Sequence, residues 1–368
     1  MSVVAVAPVA SPTTEGHVPG DRSRKGIITL VVLCVFLLFA CLVSLASGPT
    51  GVGLHELWLY FTGHSETMEA RDRVILEAVR LPRTALGLMI GAGLAISGAM
   101  MQGLFRNPLA DPGLVGVTSG AALFAVAALA LGGTALAPLS AFFGIHFLPL
   151  MAFIGGLINT LLLYMIATRN GTTSTTVLVL AGIAVAALSA ALMGLMIFMA
   201  DDRALRDITF WSLGSLGGAT PVKIWTTLPF FLIILASIPF VAKGLDALIL
   251  GDAAAFHMGI PVQRLKHIVI LAVAAACGAS VAAAGSIGFV GIVVPHLLRL
   301  VIGSSHRFLL PASAIGGAGL LLLADSFART VAAPAELPIG VVTALIGAPV
   351  FLFLLLGKGN GLGLRNAS

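Results

Sequence analysis

The stretch SGAMMQGLFRNPLADPGLVG, Ser97–Gly116, decides the class of fold. It is a polar turn broken by Pro108 and Pro112 and set between two long apolar segments. A hydrocarbon core offers no water to an interrupted backbone, so such a turn lies at a membrane face or inside protein. Gly98, Gly103, Gly113 and Gly116 permit close backbone approach, and the two prolines stop the helices on either side.

Composition agrees with a membrane chain. Hydrophobic residues make up 58% and charged residues 10% of the 368 residues, and mean hydropathy is +1.08. A soluble domain carries roughly 25% charge. The 43 glycines suit close helix–helix approach in lipid. The net charge of +5 reads as an orientation signal, not as a nucleic-acid footprint. Cys34, Cys41 and Cys277 all fall in apolar segments and read as small buried hydrophobes, with no disulfide framework.

Outward from the opening stretch, about ten apolar spans follow one another: 27–47, 82–104, 113–132, 148–168, 176–199, 221–242, 265–285, 288–302, 309–328 and 338–356. The fold class is therefore an all-α polytopic membrane protein. Residues 1–26 read as a disordered cytoplasmic tail, 27–357 as the membrane domain and 358–368 as a second cytoplasmic tail. The first apolar run is about 20 residues, too long for the core of a cleaved signal. The eighth span is short and carries Pro295, His296 and Arg299, so irregular backbone shielded by protein is expected there. An even number of spans places both termini on one side. With that side cytoplasmic, 12 of the 20 Lys and Arg residues lie inside, as the positive-inside rule requires.

No enzyme motif is present. Without a GxxxxGK[ST] loop the chain does not bind ATP in the Walker manner, and the scattered histidines show no metal spacing. No catalytic residue, metal ligand or permanently bound cofactor is assigned. His296 reads as structural, and His55, His64 and His146 as solvated loop residues. Within the spans only Asp325 is acidic, four residues before Arg329, which predicts an intrahelical ion pair. Ion-coupled carriers keep ionisable groups at mid-bilayer. The near absence of such groups counts against a secondary transporter, which stands as the rival reading of a different class, with a purely structural membrane protein behind it.

Eight motifs recur in order and resemble one family. They are RLPRTALGLMIGAGLAISG (80–98), QGLFRNPLADPGLVG (102–116), LVLAGIAVAALSAALM (178–193), LRDITFWSLGSLGG (205–218), LILGDAAAFHMGI (248–260), GSIGFVGIVVPHLLRL (285–300), HRFLLPASAIGGAGLLLLADSFAR (306–329) and ELPIGVVTALIGAPVFLFLLL (336–356). The chain resembles the FecCD-type permease subunits of ATP-driven importers for vitamin B12, ferric siderophores and haem. That resemblance implies a type II ABC importer permease of ten helices in the bacterial inner membrane. It implies a homodimer working with two ATP-hydrolysing subunits and a periplasmic substrate-binding protein. Within the family the haem members are nearest: Arg106 stands where the vitamin B12 permease has an acidic residue, and SGAAL (119–123), WSLGSLG (211–217) and LADSFARTVAAPAELP (323–338) also lean that way. Haem is then the expected substrate, with vitamin B12 or a ferric siderophore as the alternative.

Four groups of residues follow from spacing and resemblance together. Arg80, Arg83 and Arg329 sit outside against the topological bias and suit an anionic docking partner. Gly251, Asp252, Ala254, Ala255 and Gly259 form a short bracketed segment matching the ATPase-coupling helix. Asn107 and Leu109, with Thr175 and Thr176, match the cytoplasmic gate, although Asn-Pro favours a turn in any case. Ser189, Met193, Met196 and Met199 are spaced by four, three and three residues. They would line the pathway with polarizable side chains.

Overall fold

The computed structural model describes residues 23–48, 52–333 and 335–357. The tails expected at 1–22 and 358–368 lie outside the described residues. Fifteen helices follow in order: α1 (Ser23–Ala46), α2 (Leu54–Phe61), α3 (Ala70–Ile75), α4 (Leu81–Leu104), α5 (Val117–Leu131), α6 (Ala137–Phe143), α7 (Phe147–Ala167), α8 (Thr175–Met199), α9 (Asp202–Leu213), α10 (Pro221–Leu248), α11 (Asp252–His257), α12 (Val262–Ala284), α13 (Val290–Ile302), α14 (His306–Val331) and α15 (Ile339–Gly357). A two-stranded hairpin, β1 (Thr168–Arg169) with β2 (Thr172–Thr173), joins α7 to α8. One π-helical turn, Leu76–Arg80, runs from α3 into α4.

Among the described residues seven helices are long and apolar enough to cross a membrane. Shorter apolar helices α5, α13 and α15 bring the total to ten, at the ten positions expected from the sequence. The first begins earlier than expected, because Ser23–Gly26 continue the helix through the basic cluster.

Burial ranks the helices. In the apolar window of α4, 89% is buried, and in α12 and α14, 72%; in α1 and α8 only 11% and 17% are. Helix α4 is thus the axis of the bundle. It becomes so because small residues let neighbours approach to backbone distance. A Cβ on Gly91 would stand 2.5 Å from the Gly317 carbonyl oxygen of α14. Gly98 faces the Gly291 carbonyl of α13 even more closely.

Contacts at the two ends of α4 fix direction. Gly103 touches His306 at the start of α14, while Arg83 meets Asp325 near its end, so the two helices are antiparallel. Helix α1 starts near Phe308 and ends near Arg329, parallel to α14. One end of the bundle therefore carries Arg83, Asp325, Arg329 and Glu336, and the other carries Arg106, α11 and the hairpin. Twenty-four residues of α4 separate them, about 36 Å at 1.5 Å per residue.

The entry to the eighth span is locally irregular. Phe289, at φ 67°, opens α13 beside Gly347, and Pro295 sits inside that helix. The eighth span is irregular only at its entry, Gly288–Phe289, since Val290–Ile302 is one continuous helix. It is shielded on one face, where His296 is buried, while Leu297, Leu300 and Val301 are exposed. Of the three cysteines, Cys277 is buried as expected, but Cys34 is exposed and Cys41 half-buried. Both lie on α1, whose outer face meets no other described helix, so they face the surroundings of the bundle.

Candidate functional site

The end bearing α11 is built around one ammonium. Helix α12 places Lys266 where only 4% of the residue is exposed. Its Nζ donates to Asp252 Oδ2 at 2.7 Å and to the Thr173 carbonyl at 3.0 Å. One helical turn earlier, Gln263 accepts the Thr173 amide proton at 2.8 Å. Both main-chain groups of Thr173 are thereby held by α12. Thr173 closes the hairpin, whose tip Asn170-Gly171 has φ of 50° and 73°, the left-handed pair a two-residue turn requires. Ser174 then caps α8 by accepting from Val177 N at 3.3 Å. Asp252 opens α11 directly after Gly251, at φ 103°, and lies 3.9 Å from the Arg106 guanidinium.

The residues expected to couple to an ATPase do gather here, with their faces now resolved. Ala255 points inward with no exposed surface, Ala254 is half-buried, and Gly251 and Gly259 close the segment at positive φ. The side chains offered outward are Phe256, His257 and Met258. Substitution at Ala255 perturbs the interior, because α11 is a single turn and a half whose inner face carries that residue.

Asn107 serves the turn. Its Oδ1 accepts from Leu109 N at 2.9 Å, and its backbone N–H donates to the Gln102 carbonyl at 3.1 Å. Leu109 and Thr176 are exposed and Thr175 half-buried. The return into the bundle is pinned by Asp111, which accepts from Gly113 N at 2.7 Å. Asn159 of α7 donates to the Gly116 carbonyl at 2.7 Å and to Ser119 Oγ at 3.0 Å. Neither Asn159 nor Lys266 stands out in the sequence. The Asn170-Gly171 dipeptide does carry a hairpin signal, and it was the available clue.

At the opposite end the three arginines are not outward-facing. Arg80, Arg83 and Arg329 are 2%, 5% and 5% exposed. Arg83 donates to both Asp325 oxygens and to both Glu336 oxygens at 2.8–3.1 Å. Arg329 lies 3.2 Å from Asp325 Oδ2 and donates to the Ser44 and Ser47 carbonyls, while Arg80 donates to the Leu45 and Val52 carbonyls. The expectation that these guanidinium groups meet a partner directly is corrected: the end of α1 and the loop after it supply the carbonyls that such cations need in a dry setting. The expected Asp325–Arg329 pair exists, but as one arm of a buried cluster. Glu336, with 44% of its side chain exposed, is the member open to the surface.

The methionine stripe divides. Ser189 is buried, Met193 and Met196 are half-buried, and Met199 is 75% exposed. The inward face of α8 carries Leu178, Gly182 and Ser189, and Gly182 touches the Leu114 carbonyl. Its outward face carries Leu180, Ile183, Leu188, Leu195 and Phe198. Met193 and Met196 thus flank the chain's own interior, and Met199 alone of the four is open. Among the described residues no His/Cys/Asp/Glu group suits a metal ion.

Residues 36–357 match the model of the FecCD transport family. The chain belongs to the FecCD family. The hemin transport system permease protein HmuU of Yersinia pestis is 43% identical over 326 residues, covering 88% of this chain and 95% of that one. The vitamin B12 import system permease protein BtuC of Escherichia coli is 41% identical over 340 residues, covering 92% and 98%. A solved inward-facing structure described as a metal-chelate type ABC transporter superposes with a TM-score of 0.77 at 31% identity, covering 89% and 98%. The fold is that of a type II ABC importer permease. This FecCD chain is the membrane-spanning subunit of an ABC importer, and ATP hydrolysis lies with partner subunits.

Proposed function

We propose that this FecCD permease carries haem inward across the bacterial inner membrane, as a homodimer with both termini cytoplasmic. On that orientation the end holding α11, Arg106 and the hairpin faces the cytoplasm. The observation that carries the transport reading is the pairing, at one end, of an exposed apolar segment on α11 with the turn and hairpin that start α5 and α8. Phe256 on α11 and Met258 just after it suit a groove on an ATP-binding subunit. Leu109 and Thr176, both open at the same end, form the gate, with Asn107 shaping its turn and Thr175 supporting it. The outward face of α8 supplies the dimer axis, Met199 with it, and Met193 and Met196 provide adaptable walls beside that axis. The buried Arg80, Arg83 and Arg329 shape the periplasmic face, where Glu336 is the group a binding protein meets.

Haem is favoured by Arg106 in the opening turn and by the haem-like stretches at 119–123, 211–217 and 323–338. The 41% identity to a vitamin B12 permease supports cobalamin as the second reading. The test is ATP turnover by the reconstituted complex with its binding protein loaded with hemin or with cyanocobalamin. Hemin should stimulate hydrolysis and cyanocobalamin should not; the reverse order establishes the second reading.

A further inference from the structure

Among the described residues Lys266 is the one buried lysine, and its ammonium joins three separate pieces of chain at one point. Its stem runs through α12, its Nζ reaches Asp252 at the start of α11, and the same Nζ reaches the last residue of the hairpin. Asp252 is the exposed partner, with 47% of its side chain open, whereas Thr173 is 3% exposed and is also gripped by Gln263. Thr173 is followed by the α8 cap, Ser174, and then by Thr175 and Thr176. From Asp252 Oδ2 to the Thr173 carbonyl the path is two hydrogen bonds, of 2.7 and 3.0 Å, through a single nitrogen. A weaker branch runs from Asp252 to Arg106 at 3.9 Å, and so to the turn carrying Asn107 and Leu109.

We propose that Lys266 is the positioning residue that makes α11 and the start of α8 move as one body, so that displacement of α11 by the ATP-binding subunit is delivered to the gate. This rests on the reading of α11 as the ATPase contact. The geometry favours a transmitting role over a passive one. A static anchor for the hairpin is already provided by Gln263 and by the Thr168–Thr173 hydroxyl pair at 3.0 Å. The ammonium adds a link to α11 that hairpin stability does not need. Coupling between sites is carried by contiguous hydrogen-bonded and packed elements, and the α11–Lys266–Thr173 link is contiguous from α11 to the start of α8.

The experiment places spin labels at Thr176 and His257, both exposed, on a background lacking the three native cysteines, in the complete complex. In the native chain the label separation holds when ATP and vanadate are added. In Lys266→Met it shifts and broadens with nucleotide only, Lys266→Arg restores it, and hemin moved per ATP hydrolysed falls roughly tenfold. Should Lys266→Met fail to assemble, Asp252→Asn carries the same measurement, since its carboxylate is half-exposed. An unchanged response in the variant overturns the inference, and so does a separation already altered without nucleotide, which marks a static anchor. A cysteine at Met258 distinguishes the two levels. If it fails to crosslink to the ATP-binding subunit, the reading of α11 falls; if it crosslinks while Lys266→Met transports normally, only the present inference falls.

Discussion

Asp325 has no exposed surface and takes both Arg83 and Arg329 as partners. Removing one member of a buried ion cluster leaves the remaining charge unpaired, at about 3–5 kcal/mol. Asp325→Asn should therefore lower thermal stability in detergent by that order. Glu336→Gln, whose carboxylate is 44% exposed, should cost about 1 kcal/mol or less. Equal losses from the two variants would contradict a buried cluster with one wet edge. The sequence showed only half of this site. Asp325 and Arg329 stand four apart and announce themselves, but Arg83 comes from 242 residues away, a pairing no local spacing encodes. The same limit hid Lys266: fourteen residues from Asp252 and 93 from Thr173, it reads in isolation as one more inside-positive residue.

The elements themselves were legible to within a few residues, since long apolar runs bounded by charge and proline have few alternatives in lipid. What periodicity did not show was the order of burial among them. That order comes from glycines placed where two helices touch backbone to backbone. Gly98 against Gly291 is the tightest such contact on α4, so Gly98→Ala should force α13 away and abolish recovery of folded protein. Gly133, in the turn after α5, has open space around its missing Cβ, and Gly133→Ala should be tolerated. Size-exclusion profiles of the two variants check this, and a well-folded Gly98→Ala protein would contradict the packing. Short elements escaped the sequence reading, among them amphipathic α9 and the hairpin, because six to twelve residues give a weak period.

Across the whole molecule, ten helices separate two polar ends by the length of α4, with a buried arginine–carboxylate cluster at one and the Lys266 junction at the other. Membership of a family of ABC importer permeases puts the driving force in partner subunits that hydrolyse ATP. The fold was readable from the opening turn outward, whereas the outward role first given to the arginines was not, because a guanidinium at a helix end looks the same in sequence whether it faces water or carbonyl oxygens. The most direct test of the account is hemin uptake into proteoliposomes holding the chain with its ATP-binding and binding-protein subunits, measured with and without ATP and with proton and sodium ionophores present. The account predicts uptake that requires ATP and the ATP-binding subunit and is indifferent to the ionophores. Uptake by the chain alone, driven by an ion gradient and abolished by an ionophore, would contradict it.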